Sequence, residues 1–69
     1  MVEVFRTNVH EPKDAQYLAT WLQQQFPGSR INFDLDDCDR ILRIEAGQVA
    51  VQQVTRLLQQ KGFECSVLT

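Results

Sequence analysis

Apolar and polar positions along this chain repeat with two different periods, and each change of period marks an element boundary. Over Val2 to Val9, Phe5, Thr7 and Val9 alternate with Arg6 and Asn8, a period of two that predicts a first strand. Pro12 opens a first helix, because proline suits the first helical position, where its missing N–H would be unpaired anyway. This helix runs to about Phe26, with Ala15, Leu18, Leu22 and Phe26 near one face, Trp21 flanking it and glutamines covering much of the rest. Pro27-Gly28-Ser29 ends it. Arg30 to Asp36 reads as a second strand, with Ile31, Phe33 and Leu35 facing in and Asn32, Asp34 and Asp36 facing out. Asp36-Asp37-Cys38-Asp39 is a turn of short side chains, and Arg40 to Glu45 is a third strand with Leu42 and Ile44 inward. After Gly47, a second helix spans about Gln48 to Lys61, with Val51, Val54, Leu57 and Leu58 as its apolar stripe. Gly62 caps it, and Phe63 to Leu68 reads as a fourth strand.

The order is therefore β-α-β-β-α-β, the plan of an α+β, ferredoxin-like domain. The short connection between the second and third strands makes them an antiparallel hairpin. Right-handed crossovers then place both helices on one face of a four-stranded antiparallel sheet with spatial order 4-1-3-2. In this arrangement the first turn (His10, Glu11), the hairpin tip (Asp37, Cys38) and the Gly62-Phe63 turn lie at the same end.

A chain of 69 residues supports one domain, expected here over residues 1–69. With 43% hydrophobic and 23% charged residues it has the composition of a globular protein rather than a disordered one. The net charge of -2, with the basic residues scattered, argues against nucleic acid as a partner. No apolar run approaches the ~20 residues of a membrane span. The Met1-Val2-Glu3-Val4-Phe5 start lacks the features of a secretory leader, so a cytoplasmic location is the expectation. Cys38 and Cys65 are too few for a disulfide scaffold and do not make a zinc-type pair. The expected sheet order separates them by more than a disulfide allows, and Cys65 shares a strand face with Phe63 and Val67 as a buried thiol.

Nearly the whole chain resembles the heavy-metal-associated (HMA) domain family, the small domains of copper chaperones and metal-pumping ATPases. That family's first turn reads roughly Gly-Met-x-Cys-x-x-Cys. Here Asn8 stands at the Gly, Val9 at the buried Met, Glu11 and Asp14 at the two Cys, and Leu18 and Leu22 at the aliphatics that follow. Phe26-Pro27-Gly28 resembles the family's Leu-Pro-Gly, Ile31-Asn32-Phe33-Asp34-Leu35 its second strand, and Lys61-Gly62-Phe63-Glu64 the opening of its last strand. The resemblance implies the same fold and a metal-handling ancestry. It does not imply copper delivery, since Cu(I) is held by thiolates and carboxylates cannot replace them in linear coordination.

Three groupings are candidates for chemistry. His10, Glu11 and Asp14 offer an imidazole and two carboxylates suited to zinc or a similar divalent ion. The same acids also make a good helix start, with Glu11 at or beside the N-cap and Asp14 in the first turn, and that chemistry accounts for both without a metal. Cys38 lies among Asp34, Asp36, Asp37 and Asp39, whose spacing does not match an EF-hand; a polar hairpin is the default reading. A mixed site of Cys38, His10 and a carboxylate is the sharper alternative. Tyr17 and Trp21, one helical turn apart, read as packing at the edge of a thin core, with a binding platform as the other reading. The single His has no nucleophilic partner at recognisable spacing, which argues against an enzyme.

Two functions remain open from the sequence. One is a non-catalytic metal-binding or metal-transport-related module with a degenerate site at His10, Glu11, Asp14 and Cys38. The other is a metal-free module that binds a protein partner or forms a homo-oligomer through its sheet face or an edge strand.

Overall fold

In a computed structural model, which describes residues 1–68, the elements fall in the expected order: β1 (Val2–Thr7), α1 (Pro12–Gln25), β2 (Arg30–Asp34), β3 (Ile41–Glu45), α2 (Val51–Gln60) and β4 (Cys65–Val67). Thr69, the last residue of the predicted 1–69 domain, lies outside the described residues. The four strands form one antiparallel sheet in the order β2-β3-β1-β4, the predicted 4-1-3-2 read from the other edge. The architecture is α+β and compatible with the ferredoxin-like plan.

Register divides the sheet into two faces. Phe33, Leu42, Phe5 and Val67 lie side by side across the strands, as do Ile31 and Ile44, and Thr7 and Cys65. This face meets the helices. Phe5, Leu42, Ile44 and Cys65 join Leu18 and Leu22 of α1 and Val54 and Leu58 of α2 in one buried cluster, with Val9 and Ala15. α1 packs chiefly over β2 and α2 over β4. The opposite face carries Arg30, Glu45 and Val2 in one row, Asn32, Arg43 and Val4 in the next, and Asp34, Ile41, Arg6 and Ser66 in the third.

Two strand ends differ from the sequence expectation because a side chain takes over a backbone hydrogen bond, and two because a turn or a helix cap claims the residue. β1 ends at Thr7 instead of Val9, because the Thr7 hydroxyl accepts the Val9 N–H at 3.2 Å and turns the chain. β2 ends at Asp34 instead of Asp36, because the Asp34 carboxylate accepts the Asp36 N–H at 3.2 Å. β3 begins at Ile41 instead of Arg40, whose left-handed φ of 49° belongs to the turn. β4 begins at Cys65 instead of Phe63. The Phe63 N–H is drawn back to the Leu58 carbonyl and the Gly62 N–H to that of Gln59, a Schellman closure of α2 in which Gly62 sits at φ 88°. α2 starts at Val51 rather than Gln48, with Ala50 as an N-cap that has no side chain to hold the first N–H groups.

Candidate functional site

The predicted convergence of three turns at one end of the sheet is present, and β1 organises it. The Thr7 N–H donates to the Asp39 carbonyl at 3.1 Å, and the Thr7 hydroxyl donates to the Arg40 carbonyl at 2.5 Å. These bonds tie the first turn to the β2–β3 connection. On the other side, the Asn8 side-chain oxygen accepts the Glu64 N–H at 2.8 Å and so holds the turn before β4. Thr7 is buried, so its hydroxyl, which donates once and accepts once, is a satisfied structural group.

The acids of the hairpin tip serve the backbone and a neighbouring cation. Asp37 accepts the Asp39 N–H at 2.8 Å. Asp39 pairs with Arg6 at 3.3 Å, and the Arg40 guanidinium donates to the Leu35 carbonyl. Among the described residues, Asp37, Cys38 and Asp39 form the one group of three His, Cys, Asp or Glu ligand atoms within 4.8 Å of one another. Asp37 and Cys38 are exposed and Asp39 is half-buried.

The residues expected to bind a metal lie on the β1–α1 turn, the first turn of α1 and the hairpin tip. His10 and Glu11 are exposed in the β1–α1 turn and Asp14 is half-buried in the first turn of α1. The group of ligand atoms around Cys38 is made by its neighbours in sequence, Asp37 and Asp39. Glu11 is the N-cap of α1, and its carbonyl starts the helix by accepting the Ala15 N–H at 3.0 Å. Its carboxylate makes no cap hydrogen bond, so what it contributes is charge near the helix dipole, which Asp14 reinforces.

Both thiols are free. Cys38 is exposed. Cys65 is buried, and burial, which disfavours the thiolate, pushes its pKa up to about 11 from 9.0. A thiol held neutral in this way is a poor metal ligand and a poor nucleophile.

The aromatic pair has a partner that the sequence reading missed. The Lys61 ammonium lies 4.6 Å from the centre of the Trp21 ring and 5.2 Å from that of Tyr17, and it donates to the Tyr17 hydroxyl at 2.8 Å. The end of α2 is thereby pinned to the middle of α1. The available signal was a lysine in the turn after one helix and aromatics spaced by four on the other, but only the packed pair of helices brings them together.

Nothing among known family models, curated proteins or solved structures matches this chain. The likeness to HMA domains rests on the chain's own residues.

Proposed function

We propose that this chain is a ferredoxin-like, HMA-like domain that works as a non-catalytic protein-interaction module without a bound metal. The observation that carries the reading is the state of the convergent end. Asp34 and Asp37 accept backbone N–H groups and Asp39 faces Arg6. Each of these carboxylates is already engaged through one oxygen, and the imidazole best suited to accompany them, on His10, is not in the group of ligand atoms that Asp37, Cys38 and Asp39 form. The surface left for recognition is the sheet. Its helix-free face carries the partly exposed apolar side chains Val2 and Leu68 beside charged neighbours, and β2 and β4 are open edges.

The test is thermal unfolding of the reduced protein with Zn²⁺, Ni²⁺, Co²⁺ or Cu(I) added in excess. An ion bound by the native state alone raises the melting temperature by mass action. The expected result is no shift. A rise with one ion that disappears in His10→Ala or Cys38→Ser overturns the proposal in favour of a degenerate metal site.

The metal reading retains one specific support, the proximity of Asp37, Cys38 and Asp39. Those two acids and a thiolate suit zinc better than copper, and the same titration with Cys38→Ser addresses them.

A further inference from the structure

The edge strand β2 has the sequence Arg30-Ile31-Asn32-Phe33-Asp34, which is complementary to itself when read in the opposite direction. We infer that the interaction surface includes this edge and that its partner is a second copy of this chain, paired β2 to β2 in antiparallel fashion about a twofold axis at Asn32. The inference rests on the interaction-module reading and names the partner that reading leaves open.

The orientation of the backbone supports it. Met1 and Ala46 exchange hydrogen bonds in both directions, at 2.7 and 2.9 Å. Mutually bonded pairs alternate with unbonded ones along an antiparallel ladder, so Ile44 and Leu42 also turn their backbones toward β1. Glu45, Arg43 and Ile41 then turn theirs toward β2 and engage Arg30, Asn32 and Asp34. The N–H and C=O groups of Ile31 and Phe33 point away from the sheet. The flanking carbonyls are occupied, that of Ser29 by the Gln23 side chain at 2.7 Å and that of Leu35 by Arg40. The free edge is therefore short and centred on Asn32.

Only one antiparallel register joins both outward residues of one copy to both of the other: Ile31 opposite the second copy's Phe33, and the reverse. That register forms four inter-strand hydrogen bonds. It also places Arg30 directly opposite Asp34 of the second copy on the helix-free face, twice by symmetry. On the helix face it brings together Ile31 and Phe33, which are only half-buried in one copy. Beside Ile31, α1 leaves a shallow open groove of about 380 Å³ lined by Ala19, Thr20, Gln23 and Gln24, with room for an adjoining chain. The charges of β2 thus select a register as well as discouraging others.

The opposite edge lacks this match. β4 has three residues, and the corresponding self-pairing about Ser66 sets Glu64 against Leu68, with no opposite charge.

The experiment is sedimentation equilibrium of the full chain under reducing conditions, together with Asp34→Arg and the double exchange R30D/D34R. The wild-type protein is expected to show a concentration-dependent monomer–dimer equilibrium. Asp34→Arg sets like charges against each other twice and raises the dissociation constant by about tenfold or more. The double exchange restores opposite charges and returns it to within about threefold of wild type. A wild-type chain that is strictly monomeric up to about 1 mM, an Asp34→Arg chain that dimerises unchanged, or a double exchange that fails to recover overturns the inference. Should a variant fold poorly, amide hydrogen exchange of the wild-type protein decides. Protection of Ile31 and Phe33 that rises with concentration supports β2 pairing, whereas protection rising at Cys65 and Val67 instead overturns it. A monomeric result leaves the metal-free reading to the ion titration, so the two fail separately.

Discussion

Thr7 and Cys65 face each other across β1 and β4 and show how single residues fix the candidate site. Thr7 joins two turns through one buried hydroxyl. Thr7→Val keeps the shape, leaves the Val9 N–H and the Arg40 carbonyl without their partner, and is expected to cost about 1–3 kcal/mol in chemical denaturation. Cys65 makes stability depend on pH. Its neutral form is favoured in the fold, so the stabilisation is fully present below the unfolded thiol's pKa of 9.0 and is lost as pH rises toward about 11. The expected loss across that window is on the order of 1 kcal/mol, measured by urea unfolding at stepped pH, and Cys65→Ala should flatten it. The same burial predicts that a thiol reagent labels Cys38 promptly in the native state and Cys65 only on unfolding. Equal labelling of both in the native protein contradicts the packing. The burial of Cys65 was legible from its strand face, whereas the double role of the Thr7 hydroxyl was not, since it depends on turns far away in sequence.

Periodicity identified the elements themselves, and their order sufficed to give the sheet order and the convergence of three turns. The strand ends were less legible because they are set by competition between side chains and the ladder, at Thr7, Asp34 and Asn8, and alternation carries no sign of that. The C-terminal punctuation of α2 was clearer than its start, which lacks a capping side chain. Gly62 takes the left-handed cap conformation that its position after α2 implied, and Gly62→Ala should lower stability by about 1 kcal/mol or more, because an alanine at φ 88° is strained. The two helices meet through Lys61, whose ammonium lies over Trp21 and Tyr17. Lys61→Ala is expected to cost about 0.5–1 kcal/mol and to expose the Trp21 ring, read as a red shift in its fluorescence. A destabilisation without a spectral change would mean the lysine acts elsewhere.

One thin core under a four-stranded sheet holds the molecule together. A domain this small has a stability of roughly 3–10 kcal/mol. Leu18→Ala, at a fully buried position between α1 and the sheet, should remove about 2–5 kcal/mol and leave the fold marginal. The sequence pointed to metal ligands at one end, but ligand geometry depends on distances between turns, which periodicity does not encode. The assembled end uses carboxylates to close its own turns and to pair with Arg6. The most direct measurement is an amide NMR spectrum of the reduced protein recorded across a Zn²⁺ titration. Signals from Asn8 to Asp14 and from Asp36 to Arg40 are expected to stay in place beyond one equivalent. Saturable shifts confined to those two segments, complete at one equivalent, would contradict it.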